Sequence, residues 1–191
     1  MAAAANHTSC VDATLETFTL SNAVPQFPAC NRGNWKILEN YARSLVKTSV
    51  GVYVYSGPLF IPQQAGQSRD QYVVYQVIGE HTVAVPTHFF KIIVVERVKE
   101  KARVECFLVE NAPAAKSLTL QDMYVGLGDV EKWSGLLTTV HSVQESTEHV
   151  SIKIRTDNPI CDKFMATPSS TLLLFSFTDN DKLPRGHHTG M

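Results

Sequence analysis

Apolar positions recur along this chain with two different periods. Between Asn31 and Lys47 the residues Trp35, Leu38, Ala42 and Leu45 fall three and four apart, which lays one apolar stripe along a helix. Elsewhere apolar residues come in short runs rich in β-branched and aromatic side chains, the habit of strands. Residues 50–56, 72–78, 82–85, 89–95 and 104–109 are read as strands on that basis, and residues 17–22 as a short one ended by Pro25 and Pro28. A polar loop covers 62–70, residues 119–122 open a turn or short helix, and 130–137 read as a second helix interrupted near Gly135. After about Val140 the texture changes. Residues 141–149 are polar, 150–155 alternate strictly, 171–177 form a more apolar strand, and the last 14 residues are a polar tail. The two late strands are expected to pair onto a sheet edge. Many antiparallel strands with few helices define an α+β fold, an antiparallel sheet with flanking helices. The change of texture divides the chain into a main part, 1–140, and an extension, 141–191.

Composition narrows the class. A length of 191 residues with 44% hydrophobic positions can bury a core, which excludes disorder over the whole length. Seventeen Lys and Arg against 18 Asp and Glu leave a net charge of −1, which excludes a histone-like basic protein. It does not exclude a nucleic-acid enzyme, because only the active face of such an enzyme must be positive. The longest apolar runs, 91–96 and 172–177, are strand-sized, so no transmembrane segment is expected. Cys10, Cys30, Cys106 and Cys161 form no C-x-x-C pair, and are read as reduced, mostly buried thiols rather than a zinc site. The N-terminal MAAAANHTSC has neither a basic n-region nor an apolar h-region, and lacks the arginines of a transit peptide, so no targeting segment is read in it.

The helix carries candidate chemistry. On a 3.6-residue period Glu39 lies about 80° around from Asn31, and Arg43 about 120°, so the three share one flank beside the apolar stripe. A neutral oxygen ligand, a carboxylate and an arginine on one flank suit a hydrated Mg²⁺ beside a phosphate. From Arg32 to Lys47 four bases and one acid give a local charge of +3. Each residue alone has a plainer reading. An Asn before a helix is usually an N-cap, and Glu39 and Arg43, at i,i+4, are usually a surface pair. Arg97, Lys99, Lys101 and Arg103 alternate with Val98, Glu100 and Ala102. If extended, that run sets all four bases on one face, either the solvated side of a hairpin or a groove wall tracking a nucleic-acid backbone.

Taken together the motifs say more. Ala2–Ala5 precede Asn6-His7; then come Leu20-Ser21-Asn22, Pro25-Gln26, Asn31 with Trp35, and Leu38-Glu39 with Arg43 and Leu45. VYVYSGPLFIP at 52–62, YQVIG at 75–79, VAVPTHFFK at 83–91, VENAP at 109–113 and EKWSGLL at 131–137 follow in order. Over about residues 1–140 this series resembles the DNA/RNA non-specific endonucleases of the ββα-metal superfamily, and most of all their mitochondrial members. The resemblance implies an endonuclease that hydrolyses phosphodiesters of DNA and RNA without sequence preference. It implies Mg²⁺, with Mn²⁺ as a substitute, a homodimer, and residence in the mitochondrion or the nucleus. Asn31 then matches the direct metal ligand, Glu39 the carboxylate that orients the metal's water shell, and Arg43 the arginine at the scissile phosphate. Asn22 matches an asparagine supporting the site from a strand, while Arg32, Lys36 and Arg43 form the basic patch.

The family's general base is the histidine of an Asp-Arg-Gly-His motif just before the alanine-rich run. This chain starts where the residue after that histidine would fall, so the resemblance implies an incomplete nuclease domain with no general-base histidine in this chain. The alternative expectation is a non-catalytic nucleic-acid- or phosphate-binding module. Arg185-Gly186-His187 repeats part of the motif, but after Pro184 instead of Asp. His7 and His88 are read as structural or surface histidines. His81, His141 and His149 sit in polar surroundings.

Overall fold

The computed structural model describes residues 2–8, 10–64, 70–114 and 116–137 in full, together with the backbone of 138–142, 150–155 and 173–178. Its centre is a five-stranded antiparallel sheet. In chain order the strands are β1 (Gly51–Leu59), β2 (His88–Glu96), β3 (Arg103–Glu110), β4 (Tyr124–Val125), β5 (Leu137–Ser142), β6 (Val150–Arg155) and β7 (Leu173–Thr178). The sheet runs β7-β1-β2-β3-β4. Strand β1 meets β2 from Gly51 opposite Glu96 to Leu59 opposite His88, and β2 meets β3 from His88 opposite Glu110 to Val95 opposite Arg103.

Strand β2 is the keystone, buried on both faces from Phe89 to Glu96. Its alternate side chains serve two cores, as the pleat requires. Phe89, Ile93 and Val95 pack with Val52, Val54, Phe107 and Val109 under a helix that contributes Trp35, Leu38, Ala42 and Leu45. Phe90, Ile92 and Val94 pack on the opposite face with Tyr55, Leu59, Cys106 and Val130. The first core rests on the stripe read from the sequence. Full burial of a side chain such as Leu38 contributes roughly 1.5–3 kcal/mol.

The helices are α1 (Val11–Glu16), α2 (Lys36–Leu45), α3 (Leu120–Met123) and α4 (Leu127–Ser134). Helix α3 begins with a capping box, in which the Thr119 hydroxyl accepts from the Asp122 N–H and the Asp122 carboxylate accepts from the Thr119 N–H. Helix α4 starts three residues before the expected 130 and ends at Gly135, whose φ of 70° makes it a left-handed cap.

Several expected strands are absent, for identifiable reasons. Residues 17–22 are not a strand. They follow α1 and end in a 3₁₀ turn, Leu20–Asn22. Here Thr hydroxyls take backbone carbonyls, with Thr17 Oγ1 donating to Thr14 O at 2.7 Å and Thr14 Oγ1 to His7 O at 2.6 Å, in competition with a strand ladder. Residues 72–78 split into two short ladders, Gln71–Tyr72 with Gln63–Gln64 and Val77–Ile78 with Val83–Ala84. Every residue from 71 to 83 is exposed, so no packing enforces the alternation.

The four bases at 97–103 do not share an extended face. The chain turns there, with Lys99 at φ 59° and Arg97 bridged to Glu100 at 3.7 Å, while Arg103 pairs with Glu105 at 3.1 Å. Arg97 and Arg103 are paired locally, and the turn at the tip of the β2–β3 hairpin breaks the single basic face. Of the two late strands, β7 joins the main sheet at the edge of β1 as expected. Strand β6 does not, because it pairs with β5 in a separate two-stranded hairpin. The rest of 141–191, including Cys161, His149 and Arg185-Gly186-His187, lies outside the described residues. Cys10 is exposed and Cys30 and Cys106 are buried, all three as free thiols. No described helix is long and apolar enough to cross a membrane.

Candidate nucleic-acid and metal site

The site is built where a loop enters the long helix. Pro28 sits in the first turn, a position suited to its fixed φ and missing N–H. The entry is clamped from afar by Asn111, itself 7% exposed. Its Oδ1 accepts from the Phe27 N–H at 2.9 Å, and its Nδ2 donates to Pro25 O at 3.2 Å and Pro86 O at 2.9 Å. Next comes a wide π-type turn, Asn31–Trp35, kinked at Gly33, where such kinks usually fall. Asn34 ties this turn to the chain after β3, donating to Lys116 O at 2.8 Å and accepting from Leu118 N–H at 3.0 Å.

With Asn34 and Trp35 buried, the wide turn leaves Asn31 and Arg32 exposed. Asn31 is not an N-cap, since the helical segment begins at Pro28 and Asn31 lies inside it. Its Nδ2 donates to Gln26 Oε1 at 3.0 Å, and Gln26 Nε2 donates in turn to Cys30 Sγ at 3.3 Å. That contact fixes which way the amide points. The Asn31 carbonyl oxygen accepts no hydrogen bond from any described residue and remains available as a neutral hard ligand. The straight-helix angles from Asn31 to Glu39 and Arg43 do not carry across the wide turn, whose geometry the residue spacing alone did not reveal.

Glu39 and Arg43 stand one turn apart on α2, yet they form no ion pair. Arg43 reaches the N-terminal segment, its Nε donating to Asn6 Oδ1 at 2.8 Å and its Nη1 to Asn40 Oδ1 at 3.2 Å. Lys36 and Arg32 are exposed on the same stretch of chain. Asn22 lies on the 3₁₀ turn rather than on a strand. Its Oδ1 accepts from the Ala2 N–H, and its Nδ2 donates to Ala2 O at 3.0 Å and Thr17 O at 2.7 Å. It staples the alanine-rich segment, from which Asn6 meets Arg43. His88 is half-buried, with Nδ1 3.0 Å from Thr87 Oγ1. Burial lowers its pKa against an opposing push from Glu110.

Sequence reasoning passed over Lys91. Only 3% exposed, it lies beneath the helix, its Nζ donating to Ser56 Oγ at 3.0 Å and resting 4.1 Å from the centre of the Trp35 ring. Burial pulls its pKa down to about 8, and the charge of Glu39 pushes it back up. The signal was a lysine in mid-run among Phe89, Phe90, Ile92 and Ile93, which strand periodicity alone does not explain.

The donor set fits a hydrated hard cation. No cluster of three or more His, Cys, Asp or Glu side chains able to hold a metal exists among the described residues. A neutral oxygen such as that of Asn31 suits an ion that keeps most of its waters, the preference of Mg²⁺.

An antiparallel sheet with a helix packed on one face is the architecture of a ββα-metal nuclease. The family model for DNA/RNA non-specific endonuclease matches residues 1–146, and the chain belongs to that family. Over 137 residues the chain is 43% identical to mitochondrial endonuclease G of Bos taurus, covering 72% of this chain and 46% of that protein. It is 41% identical over 144 residues to the mitochondrial nuclease EXOG of Homo sapiens, covering 74% of this chain and 39% of that protein. A solved structure of the EndoG/EndoGI complex is similar with a TM-score of 0.67 at 41% identity, over 72% of this chain and 56% of that one. The chain thus spans less than half the length of these two relatives.

Proposed function

We propose that this chain carries the metal- and phosphate-binding part of a Mg²⁺-dependent, sequence-non-specific DNA/RNA endonuclease, with residues 1–140 as the nuclease part. The observation that carries the reading is the exposed Asn31, oriented by Gln26 so that its carbonyl oxygen is open, on the chain segment that also bears Glu39 and Arg43.

Asn31 offers the direct ligand oxygen, and Glu39 accepts hydrogen bonds from the ion's waters. When bound, the ion supplies Lewis-acid stabilisation of charge on the phosphodiester. The remaining guanidinium N–H groups of Arg43 take a phosphate oxygen, and Asn6 and Asn40 hold the guanidinium ready. Arg32 and Lys36 neutralise neighbouring phosphates, which gives affinity without reading base sequence. Asn22 serves by anchoring the segment that carries Asn6. No residue of this chain is assigned the water-activating role, because Asp-Arg-Gly-His does not occur in its 191 residues. Assembly as a homodimer and action in the mitochondrion or the nucleus belong to the same proposal; the mitochondrial names of the relatives support the mitochondrion alone.

The test is nicking of supercoiled plasmid in Mg²⁺ by the protein and by Asn31→Ala. Loss of nicking in the variant supports the reading; equal nicking by both overturns the metal site. Salt-sensitive DNA binding with no cleavage by either favours the second reading, a non-catalytic phosphate-binding module.

A further inference from the structure

The wall behind Asn31 holds a thiol. Cys30 precedes Asn31 in the chain and is wholly buried, in the core that also takes Trp35 and Leu38. Two hydrogen bonds link the sulfur to Asn31. Gln26 Nε2 donates to Cys30 Sγ at 3.3 Å, and Gln26 Oε1 accepts from Asn31 Nδ2 at 3.0 Å. Among the described residues each end of the Gln26 amide has this one partner. The relay thus runs from the core to the surface, with Cys30 buried, Gln26 half-buried and Asn31 exposed. A glutamine amide carries its donor and its acceptor on opposite sides of one planar group, and its side chain must give up several rotations to be held. With Nε2 held by the sulfur, Oε1 faces Asn31 and can be met only by the Asn31 NH₂. The Asn31 carbonyl oxygen then turns away from the relay. With Gln26 turned end for end, its NH₂ would face Asn31 and draw that oxygen inward, leaving a donor where a cation would bind.

We propose that Cys30 is a positioning residue for the metal site: its sulfur seats Gln26, and Gln26 in turn holds the Asn31 carbonyl oxygen outward. This rests on the metal reading above. The orientation of Asn31 then originates in a core thiol and not in Gln26 alone. A buried cysteine commonly serves as a small apolar side chain, and the two roles predict opposite orders of substitution. If Cys30 only packs, Cys30→Val, apolar and close in size, should match the parent, and Cys30→Ser, which buries a hydroxyl, should be worse. If the sulfur seats Gln26, serine keeps an acceptor for Nε2 and valine does not.

The experiment titrates the 191-residue chain with Mn²⁺, following free ion by electron paramagnetic resonance, and records the side-chain NH₂ resonances of Asn31 by NMR without metal. Cys30→Val should bind Mn²⁺ about fivefold more weakly, the worth of one hydrogen bond, while Cys30→Ser stays within about twofold of the parent. The hydrogen-bonded proton of the Asn31 NH₂ should stay downfield in the parent and in Cys30→Ser, and move to the free-amide position in Cys30→Val. In a Gln26→Leu background Cys30→Val should change the affinity no further, which ties the action to Gln26. If Cys30→Val matches the parent in the Asn31 resonance, or if Cys30→Ser binds more weakly than Cys30→Val, Cys30 only packs and the proposal falls. If Asn31→Ala binds Mn²⁺ as the parent does, the metal reading itself fails. If Asn31→Ala loses binding while Cys30→Val keeps the parent affinity, only the role of Cys30 fails. Should Cys30→Val not melt cooperatively, Cys30→Ala, smaller and equally without an acceptor, carries the same expectation. Failure of both to fold makes Cys30 structural and overturns the proposal.

Discussion

Arg43 donates its Nε to Asn6 Oδ1 at 2.8 Å, joining two residues 37 positions apart. The contact brings the alanine-rich segment down onto the helix and holds the guanidinium where a phosphate can take its remaining donors. Arg43→Ala should therefore weaken binding to duplex DNA and lower the slope of log K against log salt by about one. Asn6→Ala should leave that slope unchanged, since the charge remains, and weaken binding less. Salt titrations of fluorescence anisotropy for both variants check this.

The loop-to-helix entry depends on Asn111. Its three hydrogen bonds close the backbone of Phe27, Pro25 and Pro86 in a site that is almost dry. Asn111→Ala leaves the Phe27 N–H without its acceptor, a loss of about 1–3 kcal/mol for each buried group stranded. The expected result is a lowered Tm by calorimetry together with loss of Mn²⁺ binding. Unchanged melting would show that the clamp contributes nothing.

Stability should depend on pH in a defined way. The folded protein holds Lys91 at about 8 against an ordinary 10.5, because burial disfavours its charge. Between those values the unfolded chain binds more protons than the folded one, so stability rises with pH above 8. Burial raises Cys106 from 9.0 to about 11, and Tyr53 and Tyr55 from 10.0 to about 12. Each of these loses stability as pH climbs from its ordinary value. The net curve should rise from pH 8 to about 9 and then turn over. In Lys91→Met the rise should vanish, as denaturant melts at half-unit pH steps would show.

Strand β7 covers the outer edge of β1 over six residue pairs, Gly51 opposite Thr178 to Ser56 opposite Leu173. Deleting residues 156–191 removes it and leaves a long, largely buried strand with an open ladder, the kind of edge that pairs with other chains. The truncated chain should melt at lower temperature and self-associate in light scattering. A monomer of unchanged Tm would show that β7 does not protect the edge.

How much was legible in the sequence follows from what each feature depends on. The stripe Trp35, Leu38, Ala42, Leu45 and the runs of β1, β2 and β3 were read correctly, because period and burial coincide there: each run has a sheet neighbour and a core to fill. Residues 72–78 carry the same apolar signal but are exposed, and without packing the pattern does not hold a strand. The order of motifs from Asn6-His7 to 131–137 identified the family, since several residue types at fixed spacings constrain one another. The extension at 150–155 was read as a strand, but its partner was misjudged, because alternation tells which face is apolar and not which strand lies alongside.

The sequence by itself determined the helix, the principal strands, the family and the candidate residues Asn31, Glu39 and Arg43, since these follow from residue types and local spacing. Only the tertiary structure decided how they are held. The wide turn at Gly33 depends on clamps from Asn34 and Asn111 to residues more than 80 positions away or across the sheet. Arg43 turns to Asn6 rather than to its helical neighbour Glu39, because folding brings a better-placed acceptor within reach. Lys91 looks, in sequence, like one charge in an apolar run; burial beneath Trp35 and opposite Ser56 makes it a fixed cation under the site, and burial is a property of the fold.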